Sequence, residues 1–197
     1  MSQNPYDYEN RQGIQPISWN EFHALCKALA LAVADYQAEI ILAVGRGGYY
    51  PGTLLAHMLQ TEIYPIRLSR RVHDVVTFQS PQWSTEPPAQ VKDRRILIVD
   101  EISSTGETLS IVKDKVESLG AAMVKSAVLY AHGKGITQPD YIGLISDRLL
   151  LNPWDREIVR DGHFQFHPEY AEALNAQGMI ADPELLIPAP TRKLAKG

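Results

Sequence analysis

One cysteine is all the thiol that this chain of 197 residues contains. Cys26 therefore cannot enter an internal disulfide, which excludes a disulfide-stapled secreted scaffold and suits a reducing compartment. Its neighbours are Leu and Ala in a helical pattern, the setting of a small core residue rather than a nucleophile. A basic surplus is lacking as well. The 19 Lys and Arg stand against 23 Asp and Glu, a formal net charge of −4, which argues against a broad nucleic-acid surface but leaves small anionic ligands open. No stretch approaches the roughly 18 consecutive apolar residues of a membrane-spanning helix. The opening MSQNPYDYENRQ has no basic segment followed by an apolar one, so no secretory signal is expected and the chain reads as cytoplasmic, without membrane partners. Internal repeats, low-complexity tracts, a helix-turn-helix pattern and a basic arm are all missing.

What the chain does have is 45% hydrophobic and 21% charged residues, enough for one well-buried core. Ser18-Trp19-Asn20-Glu21 has the form of a capping box, and Phe22, Leu25, Leu29, Val33 and Tyr36 follow at helical spacing, so a helix is expected to end near 35–37. Ile40 to Val44 form a continuous apolar run, the pattern of a strand covered on both faces, and glycines lead from it into a second helix over 52–60. Strands are expected over 63–68, 95–99, 122–130, 141–145 and 149–151, with a helix over 107–119 closed by Gly120. Alternating strands and helices imply a Rossmann-like α/β fold, a twisted and mainly parallel sheet flanked by helices. Residues 72–93 differ: they are polar, contain three prolines and hold no strong period, which marks a flap or small subdomain rather than a plain connection. Beyond Pro153-Trp154-Asp155 the pattern weakens, leaving a short helix over 168–177 and a loose tail. The reading is a domain over 1–155 and an extension of no assigned role over 156–197.

Ligands of open parallel sheets settle outside the carboxyl ends of the strands. The stretch ILIVDEISSTGETL, residues 96–109, sits at such an end. Ser104, Thr105, Gly106 and Thr108 lie where a loop meets a helix N-terminus, whose backbone amides and hydroxyls suit a phosphate. Asp100 and Glu101 repel each other unless a divalent cation, a sugar diol or nearby cations share the site. A phosphate cradle just beyond a diol or metal site describes a phosphorylated ribose. Gly45-Arg46-Gly47-Gly48 ends a different strand and offers backbone amides and a guanidinium to a second anion such as pyrophosphate.

With these motifs the sequence resembles the type I phosphoribosyltransferases, and within them the xanthine-guanine and other purine enzymes, over roughly residues 17–155. The carriers are ILAVGRGGYYPGTLLAHML, ILIVDEISSTGETL and QPDYIGLISDRLLLNPWD. The resemblance implies a core sheet with a small hood within 70–93 and 132–155, and the substrates 5-phosphoribosyl 1-diphosphate (PRPP) and a nitrogenous base. It implies that Asp100 and Glu101 hold the ribose hydroxyls and Mg²⁺, with Asp155 a further candidate metal ligand. Residues 104 to 108, Glu107 included, would hold the 5′-phosphate. Gly45, Arg46, Gly47 and Gly48 would hold the pyrophosphate, with Arg70 or Arg71 available from a mobile loop within 70–93. A homodimer or homotetramer is expected, with nucleotide salvage as its setting.

The base half of the pattern departs from the 6-oxopurine enzymes. Ser104 stands where they carry an Asp, and a hydroxyl is too weakly acidic to serve alone as a general base near neutrality. His132 stands in place of a Lys, with Lys134 two residues later, and Leu149 in place of a stacking aromatic, with Trp154 following in the Pro-Trp pair. A purine such as xanthine, guanine or hypoxanthine is the expected acceptor. The alternatives are a transferase with a non-purine acceptor and a non-catalytic sensor of PRPP or nucleotides.

Overall fold

The computed structural model of the chain describes residue 11, residues 13–72 and residues 75–180, with the side chains of 71, 72, 75 and 76 outside that description. In chain order it contains β1 (Ile14–Pro16), α1 (Trp19–Val33), β2 (Ile40–Val44), α2 (Tyr49–Leu59), β3 (Glu62–Ser69), the short β4 (Arg71–Val72) and β5 (Val75–Val76), and β6 (Gln82–Thr85). Then follow β7 (Arg95–Ser103), α3 (Glu107–Ser118), β8 (Met123–Ala131), β9 (Tyr141–Ile145), β10 (Leu149–Leu151), β11 (Glu157–Arg160), β12 (His163–Phe166) and α4 (Pro168–Ala176). Contacts divide the chain into two compact units, residues 22–147 and the N-terminal residues to Glu21 together with Arg148 onward.

In the larger unit six strands lie in the order β6-β3-β2-β7-β8-β9. Every pairing is parallel except that of β6, which joins β3 antiparallel at the edge. The apolar runs are buried as their composition requires: all of β2 is buried, and Ile96, Leu97, Ile98 and Val99 of β7 are fully so. Leu109, Val112 and Val116 of α3 pack on the same core. The chain leaves β2 through α2 towards β3 on one side and leaves β7 through α3 towards β8 on the other. The loops after these two neighbours therefore diverge, the switch-point geometry at which such sheets bind ligands.

One strand limit and one helix limit differ from expectation by three residues or more. β7 continues to Ser103 rather than stopping at Val99, because β8 goes on pairing with it as far as Ser103 against Ala131. Its pairing with β2 ends at Ala43 against Val99. The acid pair thus lies on a strand that has outrun its neighbour. α2 begins three residues earlier than its pattern suggests, with Pro51 in the first turn, where a missing amide proton costs nothing.

β4 and β5 form a hairpin whose base is closed by the amides of Thr77 and Phe78 donating to the Arg70 carbonyl at 2.8 and 3.0 Å. Later in 72–93, β6 pairs with β3, Trp83 packs against the core and Val91 is fully buried.

The smaller unit holds features that its weak pattern concealed. β1 pairs in parallel with β10, joining segments from opposite ends of the chain. β11 and β12 form a hairpin that turns on Asp161 at φ 53° and Gly162 at φ 79°, the left-handed pair that an Asp-Gly turn supplies. α4 starts at Pro168, with His167 Nδ1 accepting the Glu169 amide, and packs Tyr170, Ala173 and Leu174 against Leu149 and Leu151. In the same unit the capping box forms as read. The Ser18 amide donates to Glu21 Oε2 at 2.7 Å, and the Glu21 amide to Ser18 Oγ at 3.2 Å.

Candidate active site

The glycine loop and the acid pair are in contact. From Gly45 to Gly48 the chain turns out of β2, with a cis peptide between Gly45 and Arg46, while the Gly45 amide donates to the Ile66 carbonyl at 2.8 Å. The Arg46, Gly47 and Gly48 carbonyls accept the amides of Tyr49, Tyr50 and Gly52. A Cβ on Gly48 would lie 2.7 Å from the Val99 carbonyl oxygen and 2.9 Å from the Asp100 Cα, so only glycine lets this loop lie on β7. A Cβ on Gly47 would fall on the Glu101 carboxylate. Arg46 itself is exposed at the tip.

The second loop is built as read from Thr-Gly-Glu-Thr. Gly106 precedes α3 at φ 84°, and a side chain there would collide with Gln138. The Glu107 amide donates to Thr105 Oγ at 3.4 Å; Thr105 is exposed, and Ser104 and Thr108 are half-buried. Glu107 forms an ion pair with Arg70, which brings the arginine at the base of the β4–β5 hairpin to the start of the phosphate helix. The Arg71 side chain lies outside the described residues.

Of the residues expected to meet the base, His132 follows the last residue of β8 and is 6% exposed. Its amide donates to the Ser103 carbonyl at 3.0 Å, and its ring Nδ1 lies 2.6 Å from the Ser146 carbonyl oxygen. Lys134 is exposed on the 3-10 turn Gly133–Gly135, whose Gly135 carbonyl accepts from Ser103 Oγ at 2.8 Å. Ser103 and Ser146 carry no sequence signal for their contacts with His132, because both are made through backbone carbonyls.

The remaining expected residues belong to the smaller unit. Leu149 is 2% exposed, its side chain committed to the cluster with Tyr170 and Leu174 rather than offered as a flat wall for a base. Trp154 packs at 6.3 Å from Trp19, ring to ring. Asp155 accepts a hydrogen bond from the Tyr170 hydroxyl at 2.9 Å; burial pushes its carboxyl up, and the tyrosine bond offsets this in part.

Burial also pushes the half-buried Asp100 up to about 7, against the pull of the Glu101 amide, which donates to Asp100 Oδ1 at 2.7 Å. Near neutrality this carboxylate is held ionised only at a cost that a cation or a diol would relieve. Among the described residues no cluster of three or more His, Cys, Asp or Glu forms a closed metal cage. Two adjacent hard oxygen donors are what Mg²⁺ takes when its other ligands are waters and substrate phosphates, so Asp100 and Glu101 fit that ion. An open cavity of about 660 Å³ lies at the opposite ends of β2, β3 and β7, bordered by Glu39, Arg94 and Arg95, and is remote from these loops.

A glycine loop on one strand and an acid pair with a Thr-Gly turn on the next, at the switch point of a mainly parallel sheet, define an α/β protein of the open-sheet class, in which ligands bind at the strand ends. Comparison with known proteins makes this particular. The phosphoribosyl transferase domain model matches residues 18–160, so the chain belongs to that family and is a phosphoribosyltransferase. Among solved structures it is similar to the purine phosphoribosyltransferase of Pyrococcus horikoshii OT3, at 28% identity and TM-score 0.66, covering 75% of this chain and 98% of that one. The xanthine-guanine-hypoxanthine phosphoribosyltransferase of Helicobacter pylori matches at 21% identity and TM-score 0.60, over 72% of this chain and 92% of that one. A Neisseria gonorrhoeae protein solved with bound ppGpp matches at 20% identity and TM-score 0.63, over 77% and 92%. The last two likenesses concern the fold. Among the described residues no helix is long and apolar enough to cross a membrane.

Proposed function

We propose that the enzyme transfers 5-phosphoribose from PRPP to a purine base with the help of Mg²⁺, releasing pyrophosphate. The observation that carries the reading is the contact between the Gly45–Gly48 loop and the Asp100-Glu101 pair, directly upstream of the 104–108 cradle. In the reaction the bond from C1′ to the diphosphate oxygen breaks, its electron pair leaves with pyrophosphate, and a ring nitrogen of the base forms the new bond to C1′. Positive charge grows on the ribose and negative charge on the leaving group. Bound at Asp100 and Glu101, Mg²⁺ supplies charge neutralisation on the diphosphate. The carboxylates of Asp100 and Glu101 accept from the ribose hydroxyls, the amides of 104–108 hold the 5′-phosphate, and Arg46 and Arg70 face the diphosphate. In this reading the segment that includes β4 and β5 would exclude water from the cation-like ribose. The similarity to the Pyrococcus purine enzyme, at 28% identity, supports a purine as acceptor. Salvage is the corresponding role.

A non-purine acceptor is the second reading. It is favoured by the burial of Leu149 and by Ser104, which puts a hydroxyl where the 6-oxopurine pattern has a carboxylate. The test is pyrophosphate release from PRPP and Mg²⁺ with guanine, hypoxanthine, xanthine, adenine, uracil and orotate separately, beside calorimetric binding of PRPP. Release with a purine supports the first reading; release with uracil or orotate alone supports the second.

A further inference from the structure

The first turn of α2 reaches back to the glycine loop. The Tyr49 hydroxyl donates to the Ile66 carbonyl at 3.2 Å, and the Gly45 amide donates to the same oxygen at 2.8 Å. A carbonyl oxygen has two lone pairs, so one backbone group of β3 receives both. The phenol also fills the place of a Gly45 side chain, since a Cβ there would lie 2.2 Å from the hydroxyl oxygen and 2.3 Å from the ring carbon that bears it. Through its own amide Tyr49 donates to the Arg46 carbonyl at 3.2 Å. One residue thus ties both Gly45 and Arg46 to β3. Ile66 is fully buried, which makes it a fixed point, and its strand runs on to Ser69 and delivers Arg70.

Gly45, Gly47 and Gly48 bring no side chains of their own to hold the loop, and glycine has the most conformational freedom to lose. Support must come from neighbours: Glu101 and β7 lie against Gly47 and Gly48, and Tyr49 lies against Gly45. We infer that Tyr49 is a positioning residue for the pyrophosphate end of PRPP, holding the loop in the arrangement that receives the anion. The inference rests on the function proposed above, which assigns that end to the Gly45–Gly48 loop. With its hydroxyl committed to Ile66, Tyr49 acts through the loop rather than on the anion. Without that bond the loop samples further arrangements, only a fraction of molecules is ready for the anion, and the apparent affinity falls by that fraction.

Tyr49→Phe keeps the ring and removes only the hydroxyl. Calorimetry with pyrophosphate and Mg²⁺, and separately with ribose 5-phosphate, reads the two halves of PRPP apart. The variant's Kd for pyrophosphate is expected to rise about threefold or more, with that for ribose 5-phosphate unchanged. A folded variant that binds both as the wild type does, or loses both alike, overturns the inference and leaves the proposed function standing. A wild type that binds neither PRPP nor pyrophosphate removes the proposed function and the inference with it. Amide exchange at Gly45 gives a second readout that needs no ligand. Exchange is expected to be faster in Tyr49→Phe, as a loop fastened at one point fewer opens more often, and unchanged exchange overturns the inference.

Discussion

The Glu101 carboxylate occupies the space that a side chain on Gly47 would need. Gly47→Ala is therefore expected to push the carboxylate off its position or the loop off β7, weakening PRPP turnover by about a hundredfold if the loop and acid pair act as one unit. Steady-state kinetics at saturating base measures it. An alanine variant with unchanged kcat/KM for PRPP would separate the two loops functionally.

Asp100 and Glu101 together are expected to be indispensable to turnover and dispensable to folding. Asp100→Asn with Glu101→Gln should abolish pyrophosphate release while circular dichroism stays that of the wild type. Activity retained by a well-folded double variant would remove the proposed role of the pair.

The raised pKa of Asp100 has a stability consequence. Its folded value of about 7 lies above the ordinary 3.8, so the group's contribution is fully present below about pH 4 and is lost as the pH rises through 7. Asp100→Asn escapes that loss. Without divalent cations, the Tm of the variant minus that of the wild type is expected to grow more positive from pH 5 to pH 8. A flat difference would mean that the carboxyl is not desolvated in solution.

Arg70 and Glu107 form an exposed pair, their side chains 31% and 49% accessible, so the pair itself contributes at most about 1 kcal/mol. Arg70→Ala is expected to shift Tm by no more than a few degrees yet to raise the KM for PRPP about tenfold or more, as the diphosphate loses a guanidinium. Parallel melting curves and PRPP titrations decide it.

Burial pushes the Cys26 thiol up to about 12. At pH 8 the native protein is expected to stay unreactive towards a disulfide reagent and to release one equivalent of thiol on unfolding. Rapid native reaction would place Cys26 nearer the surface than 0% exposure allows.

The sheet was legible because its strands are buried on both faces: Ile40 to Val44 and Ile96 to Val99 carry no polar residue that could mislead. Glycine made the Gly45–Gly48 loop and the turn before α3 legible as well, since few other residues permit so close a backbone approach. Three features resisted. The three-residue β1 is too short for any period and is held by pairing with β10. The β11–β12 hairpin has only the Asp161-Gly162 pair to mark it, between strands of four residues each. The setting of His132 was not legible, because its ring meets the Ser146 carbonyl, a backbone group that no residue type encodes. Leu149 misled because its position in a motif says nothing of the core that α4 builds around it.

β2 and β7 are hydrogen-bonded neighbours, and one carries the anion loop and the other the acid pair. Neighbouring strands stand about 4.8 Å apart, a spacing fixed by the ladder itself. The gauge between the two ends of a ligand is then set when the sheet forms, before any substrate arrives, and little of the cost of arranging the site is left to the binding step. Diversification of such an enzyme would be free to alter the acceptor side, where loops after β8 and β9 meet, while this gauge stays constant.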